Sequence, residues 1–399
     1  MRNRVIFQSD ALFVSPTPST GAQFLASTIY GNGTDPFGNL SQQYSGTNLI
    51  NQLFRVTSCN YSFQIPRKDV NQFGELAFID RVIVEQPTVT LDFSYYLASF
   101  ANEKSLGLTV SSTGANYWVN CISGILTQTS DDKDYYVYEA PEGNDVDNNY
   151  AAMSATNGKT YAFGNGFLSS YQVEAAVGNL PTVSIKVEAL NMAIHTGSQG
   201  NSVPAVNPAD GSRVTGWFYE LPTGITSPSG GIGDLGITAL RPGDISLNVY
   251  NSGTLTNYAQ FGVTPSTISG APQTFRISCD LRRENLLKLG SKFAYDKAVQ
   301  FPITVSCSID GLVTDLNTGD ISALICNDQP YDVVLGIARP GCGAGRPNVV
   351  NYFLRGVTLD SQNYTLGLND NKKFTMNFST QIGSATQLYR GLYMSGVIY

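Results

Sequence analysis

The chain has 399 residues, of which 42% are hydrophobic and only 14% are charged, and its formal net charge is −7. This length fits two units of roughly 200 residues each. The net negative charge excludes a protein that binds nucleic acid tightly through the phosphates of the nucleic acid. It allows a surface along which a polyanion passes without binding. The 39 glycines, 18 prolines and 22 tyrosines, without any long helical pattern, predict a mainly β fold.

The charged fraction is well below the usual level of about 25%, and two explanations fit it. Either much of the surface is buried between subunits, or the exposed surface is rich in uncharged Thr, Ser and Asn, which this sequence contains in number. We expect burial between subunits.

Targeting signals and redox motifs are few. The N-terminal MRNRVIFQSD is basic but has no apolar stretch behind it, so a signal peptide is not expected, and no run is long enough to span a membrane. Six cysteines without a C-x-x-C spacing are too sparse for a disulfide scaffold, and buried thiols in a reducing compartment are expected. They are Cys59, Cys121, Cys279, Cys307, Cys326 and Cys342.

The chain opens with an apolar run at residues 11–14, which predicts a short strand, and continues as a long loop or arm after Pro16 and Pro18. The run 54–59 (FRVTSC) then reappears as 275–279 (FRISC). Each of these β-rich runs leads into a longer segment that occurs twice.

This duplicated segment covers residues 67–93 (RKDVNQFGELAFIDRVIVEQPTVTLDF) and 283–307 (RENLLKLGSKFAYDKAVQFPITVSC). Placing Gly74 on Gly290 keeps the register back to the arginine that begins each copy. Because the recurrence spans about half the chain, it indicates a duplicated domain and not a solenoid, whose periods are shorter.

Each copy predicts one helical turn followed by two strands. Val70 and Phe73, like Leu286 and Leu289, are three residues apart, which places two apolar groups on one side of a helical turn. The glycine that follows at once is expected to end the turn in a left-handed conformation. A β-branched run, a proline and an alternating apolar run then predict two strands.

Further strands are predicted in both halves of the chain. The Gly-, Ser- and Pro-rich stretch between the halves has no apolar periodicity and predicts a linker. We therefore expect a first domain at residues 1–222, a linker at 223–236 and a second domain at 237–399. The remaining predicted strands cover residues 118–125, 135–138, 167–176, 183–189, 245–249, 331–335, 352–359, 374–379 and 391–399.

No constellation typical of an enzyme stands out. His195 is the only histidine, and its place at a strand end favours a surface residue over a catalytic base or metal ligand. The run 231–236 matches G-x-G-x-x-G but lacks the strand and helix of a dinucleotide site, and 341–346 lacks the ending of a phosphate loop. We predict no catalytic, cofactor-binding or metal-binding residue, and no enzyme.

Two stretches concentrate charge. Residues 131–147 hold seven acids and one base. The run 145–149 resembles the start of a calcium loop, but Tyr150 and Thr156 stand where the glycine and the closing glutamate belong, so a solvated acidic loop is predicted. The most basic stretch, 276–297, lacks the clustered aromatics of a nucleic-acid site, and we expect it to pair with acids on a neighbouring subunit.

The repeated unit resembles a known family. The pattern runs from Arg67 through Phe73-Gly74 and Asp80 to Pro87-x-Val-x-Leu-Asp-Phe, and continues as Phe167-Leu-x-x-Tyr-x-Val and Gly178-Asn-x-Pro-x-Val. It is similar to major tail tube proteins of tailed bacteriophages. The resemblance implies a small β-barrel or sandwich with a short flanking helix in each half. It also implies that neighbouring subunits join inner strands into one barrel, and that stacked rings form the conduit for DNA.

The family usually has one such domain per chain and six chains per ring. Two domains per chain imply a trimer with pseudo-sixfold symmetry, located in the virion tail, assembled in the host bacterial cytoplasm and contacting other tail proteins. Viral DNA would pass through the lumen without specific binding. The alternatives are another virion protein of related fold, such as a terminator, baseplate hub or decoration protein, and a carbohydrate-binding β-sandwich that uses its many tyrosines.

Overall fold

We describe the fold from a computed structural model. The bounds of the strands and of two short helices are β1 (Asp10–Pro16), β2 (Asn51–Leu53), β3 (Val56–Gln64), β4 (Arg67–Val70), β5 (Asp80–Ile83), β6 (Thr88–Tyr96), α1 (Ala101–Ser105), α2 (Ser123–Leu126), β7 (Lys133–Glu139), β8 (Lys159–Ala176), β9 (Thr182–Ala189), β10 (Asn191–Thr196), β11 (Ile245–Asn251), β12 (Ala271–Asp280), β13 (Arg283–Leu286), β14 (Asp296–Val299), β15 (Ile303–Leu312), β16 (Tyr331–Ala338), β17 (Asn348–Thr365), β18 (Lys373–Ile382) and β19 (Gly391–Gly396). The described residues are 10–16, 50–111, 119–127, 131–139, 158–196, 203–207, 211–214, 240, 245–251, 271–312, 330–338, 348–365, 371–387 and 389–396.

The protein is mainly β, as its composition predicts. Strand β6 shows the local cause: Val89, Leu91, Phe93 and Tyr95 are buried, and the Thr, Asp and Ser residues between them lie on the opposite face. Strand β15 alternates in the same way through Ile303 and three further buried apolar residues. This period of two gives each strand one apolar face for the core and one polar face.

One antiparallel sheet, called the main sheet here, runs through both halves of the chain. Its first four strands are ordered β3–β6–β9–β8, and its last four are ordered β12–β15–β18–β17. The two sets are joined because β8 pairs with β12, with Val173 opposite Ile277. We call this pairing the internal junction. The strands of the second set therefore pair in the same relative order as those of the first.

Two outer layers cover the apolar side of the main sheet, in the orders β10–β8–β7–β1–β2 and β19–β17–β16–β11. Strands β8 and β17 each have 18 residues and belong to both layers. Each contains a residue with positive φ, Asn165 (52°) and Gly356 (59°). The N–H groups of these residues donate to the buried carboxylates of Asp134 and Asp332, both at 3.0 Å. The two halves thus share one local feature in the strand that passes between layers.

The duplicated segment forms a β-hairpin in each half, and the predicted helical turn is wrong in both copies. In the first hairpin, β4–β5, Arg67 lies opposite Ile83; in the second hairpin, β13–β14, Arg283 lies opposite Val299. A single helical turn fixes several dihedral angles for one hydrogen bond, and a paired hairpin satisfies more backbone groups over the same residues. The predicted left-handed glycines are confirmed, since Gly74 and Gly290 in the connecting loops have φ of 95° and 86°.

The two halves share one hydrophobic cluster that includes residues from both. The segment after α1 crosses to the second half, where the Cys121 N–H donates to Leu392 O at 2.8 Å and Ser111 bridges Ser395 of β19. Part of this segment was predicted as a strand at 118–125, but its described residues form a turn and α2. The predicted linker at 223–236 lies outside the described residues, and the domain boundaries stay a prediction.

Candidate self-association surface

In the part of the chain that the structure describes, the main sheet ends on two strands that pair on one side only. Among the described residues, β3 pairs only with β6, and residues 358–365 of β17 pair only with β18. Phe63 on β3 is 61% exposed and Tyr364 on β17 is 44% exposed. We call β3 and residues 358–365 the open edges. Unpaired backbone groups along such an edge form a template for pairing with another chain.

Strand registers show which residues of the open edges correspond to those of the internal junction. Cys59 lies opposite Phe93, and Ile277 lies opposite Cys307, and the two partners match within the duplicated segment. Cys59 on β3 therefore takes the place of Ile277 on β12. The expected match of the cysteines in FRVTSC and FRISC is thus displaced by two residues, because Cys279 lies opposite Val305.

The same reasoning applies to the other open edge. Val173 of β8 lies opposite Val183, and Gln362 of β17 lies opposite Met376. Val183 and Met376 are themselves equivalent, because their partners are Tyr95 and Ile309 at matching places in the first and second halves. Gln362 therefore takes the place of Val173. The open edges carry the same two positions that meet at the internal junction.

Polar contacts reinforce the internal junction. Arg276 and Glu174 form an ion pair with a distance of 2.6 Å between Nη2 and Oε2. The Leu281 N–H donates to Ser169 O at 2.9 Å just past the end of β12. Both ion-pair side chains are more than a third exposed, so solvent weakens this pair and backbone pairing with apolar burial dominates the junction.

Three of the six basic residues in the stretch 276–297 pair with acids of their own chain, which corrects the expectation of a neighbouring subunit for these three. Besides the Arg276 pair, Arg283 Nη2 lies 2.6 Å from Asp131 Oδ2, and Lys297 Nζ lies 3.6 Å from Glu188 Oε2. These acids precede their partners by more than one hundred residues, so local sequence gave no sign of them. The basic stretch holds the second half against the first.

The predicted acidic loop is only partly a loop. Residues 133–139 form the buried strand β7. The carboxylate of Asp132 accepts a 2.8 Å hydrogen bond from Asn165 Nδ2, and burial lowers the pKa of Lys133. The described acids of this stretch are therefore structural, and the run 145–149 that resembles a calcium loop lies outside the described residues.

A buried carboxyl group that the sequence did not single out lies beside the internal junction. Glu103 on α1 accepts hydrogen bonds at Oε1 from the hydroxyls of Tyr95 (2.8 Å) and Tyr171 (3.2 Å). The Tyr171 hydroxyl is also 2.7 Å from that of Tyr352 in the second half. Burial raises the pKa of Glu103 to about 7, against a partial opposing effect of the Tyr95 hydrogen bond. This cluster ties α1, β8 and β17 together.

The other candidate residues, the histidine and the cysteines, do not gather at one site. His195 is the second-last residue of β10 and is half-buried. Cys121, Cys279 and Cys307 are buried free thiols, and Cys59 is half-buried. The glycine-rich runs 231–236 and 341–346, with the last two cysteines, lie outside the described residues. In the part of the chain that the structure describes, no three His, Cys, Asp or Glu side chains gather as metal ligands would. Over the same residues, no helix is long and apolar enough to cross a membrane.

Comparison with known proteins gives weak matches. No protein-family model and no curated protein sequence matches the chain. Among solved structures, a chain of the anti-feeding prophage baseplate matches with a TM-score of 0.27 and 13% identity, over 39% of this chain and 94% of its own. A chain of the native gene transfer agent virion gives 0.24 and 16%, over 39% and 97%, and Hcp protein gives 0.19 and 6%, over 38% and 98%. TM-scores this low support no conclusion about function.

Proposed function

We propose that this protein is a structural virion protein, a tail tube subunit whose copies join through their open edges into rings. Stacked rings would form the conduit for viral DNA. One observation carries the proposal: the main sheet passes from one half to the other through β8 and β12, and it ends on edges that repeat the two sides of that junction. Joining β17 of one copy to β3 of the next would repeat the same antiparallel pairing between chains.

The number of strands suits a ring with an open centre. Each copy contributes eight strands to the main sheet, so a trimer would contain about 24 strands. With strands ~4.8 Å apart and tilted by about 40°, the barrel would be about 50 Å across. Barrels of about 16–18 strands already leave a water-filled channel. Head-to-tail contacts of this kind close into rings where the rotation between copies is regular.

The polar face of the main sheet suits the wall of such a conduit. It carries hydroxyls that bond across strands, such as Ser62 to Thr90 at 2.8 Å and Ser278 to Ser306 at 2.7 Å. Of the basic side chains on this face, Arg276 is already paired with Glu174. A wall of hydroxyls and carboxylates offers phosphates little counterion-release gain, so DNA would pass without being held.

The test is negative-stain electron microscopy of the purified full chain over a range of salt and protein concentrations. The proposal predicts hollow rings or stacked tubes, with threefold symmetry in top views. Compact monomers under every condition would contradict it. Single rings that never stack would contradict the tube role and indicate a terminator instead.

A further inference from the structure

The two hairpins have matching strand registers but very different surroundings. In the second hairpin, the side chains of Arg283 and Lys297 are only 2% and 5% exposed, and Ala294 is 2% exposed. In the first hairpin, every residue of β4 and β5 is exposed, although its register and closing hydrogen bond are the same. The two hairpins therefore differ in what surrounds them and not in their own fold.

The second hairpin is buried because it docks on the first half of the chain. Its Arg283 guanidinium lies 5.1 Å from the centre of the Phe167 ring, and its Nε donates to Leu168 O at 3.1 Å. Lys297 Nζ lies 5.4 Å from the same ring. The hairpin reaches this place because β13 begins only three residues after β12 ends, and β12 is paired with β8.

The loop of the second hairpin makes a further contact at the base of the first hairpin. The Ala294 N–H donates to Gln86 Oε1 at 2.7 Å. Phe293 packs against a small apolar cluster of Phe167, Leu190 and Val206. Docking therefore places the loop of the second hairpin, at residue 294, against residue 86, three residues past the end of β5.

We propose that the first hairpin docks in the same way on a second copy of this chain, with Phe78 against Phe301. The proposal deepens the ring assembly proposed above and rests on it, because β4 follows β3 as closely as β13 follows β12. When β3 pairs with β17 of a neighbour, the first hairpin lies along that neighbour's second half. In the duplicated segment, Phe78 corresponds to Ala294 in the register of the glycines. Phe301 corresponds to Gln86 because each directly precedes the proline of its copy, the second copy being one residue shorter before that proline.

The chemistry of the matched positions fits an apolar contact between copies. Phe78 is 50% exposed and Phe301 is 49% exposed in the single chain. The hairpin's Arg81 is already paired with its own Asp69 at 2.6 Å, so it does not need a partner on the neighbour. Burying two phenylalanines that are exposed in one chain removes apolar surface from water and favours association.

The contact covers the flank of the hairpin and not its tip. Phe73 and Leu289 occupy matching places in the two hairpin loops and are fully exposed, at 108% and 104%. Because Leu289 stays exposed in the docked hairpin, docking in this manner leaves the tip free. The test therefore concerns Phe78 and Phe301 alone.

The experiment is disulfide cross-linking of mixed single variants. Chains carrying Phe78→Cys are mixed with chains carrying Phe301→Cys under assembly conditions, oxidised, and resolved on a non-reducing gel. A linked pair containing one chain of each variant is expected, which a contact within one chain cannot produce. The double variant Gln86→Cys with Ala294→Cys is the matched control and should link within single chains.

The outcomes of the cross-linking distinguish the hairpin contact from the ring assembly. Rings without the mixed pair, while the control links, would overturn the hairpin contact and leave the ring proposal standing. Mixed pairs without rings would support the contact and overturn the ring proposal, and monomers throughout would overturn both. As a second measurement, Phe78→Asp should raise the protein concentration needed for assembly by about tenfold or more, and adding Phe301→Lys should restore it. Failure of both effects would also overturn the contact.

Discussion

The internal junction and the open edges are matching sites in two different states. At the junction, Val173 and Ile277 are 0% and 1% exposed; at the edges, their counterparts are Gln362 and Cys59, both half-buried. The junction side carries apolar residues because its partner is always present in the same chain. At the second edge, Gln362 is more polar than Val173, which suits a strand border that is exposed in the single chain. In the proposed ring, the same strand pairing would serve inside a chain and between chains, with different side chains at matching positions.

The largest expected effect comes from placing a lysine at either of two matching positions, one just past the end of β12 and one near the end of β3. Leu281 is 1% exposed and lies where Phe63, 61% exposed, lies on the open edge. Leu281→Lys should lower the free energy of unfolding by about 4 kcal/mol or more, because a buried unpaired ammonium is costly. Phe63→Lys should change it by less than about 1 kcal/mol and abolish assembly. Urea unfolding measures stability and light scattering measures assembly; equal destabilisation by both variants would contradict the contrast between a buried junction and an exposed edge.

The two hairpin arginines provide the next contrast. Arg283→Ala leaves Asp131 without its partner in a mostly buried site, and we expect a loss of about 3 kcal/mol in the free energy of unfolding. Arg67 is exposed at the matching place, so Arg67→Ala should cost less than about 0.5 kcal/mol in the isolated chain. Chemical denaturation at low protein concentration measures both, and a similar cost for the two would contradict docking of only one hairpin.

The buried carboxyl beside the junction makes the stability of the chain depend on pH. The pKa of Glu103 is raised by burial from 4.5 to about 7, so the folded chain keeps a proton that the unfolded chain releases. Its stability contribution is therefore fully present below about pH 4.5 and is lost as the pH rises through about 7, by about 3 kcal/mol. Glu103→Gln should remove this slope from denaturation curves recorded between pH 4.5 and pH 8. The same slope in the variant would rule out Glu103 as its source.

Much of the fold could be predicted from the sequence, but the long-range side-chain contacts could not. The apolar–polar alternation in residues 88–96 and 303–312 predicts strands, and both segments are strands. The alignment of Gly74 with Gly290 also matches the strand registers of the two hairpins. The prediction of a helical turn was wrong because two apolar residues three positions apart also occur where a hairpin strand leads into its loop. The ion pair of Arg283 with Asp131 and the tyrosines around Glu103 depend on long-range packing, which local pattern does not encode.

The most direct test of edge-to-edge joining uses a native cysteine. By the register of the internal junction, Cys59 of one copy should lie opposite Gln362 of the next, on the core side of the sheet. Burial raises the pKa of the Cys59 thiol to about 12, so an oxidation catalyst should accompany the reaction. Gln362→Cys is the test variant, and Asn363→Cys, with its side chain on the opposite face, is the matched control.

If the open edges join, oxidised Gln362→Cys should run as a ladder of covalent dimers and trimers on a non-reducing gel, and adding Cys59→Ser should remove the ladder. Asn363→Cys should stay largely unlinked. Assemblies in which Gln362→Cys forms no link to Cys59, or links no better than Asn363→Cys, would contradict the claim that β17 of one copy pairs with β3 of the next.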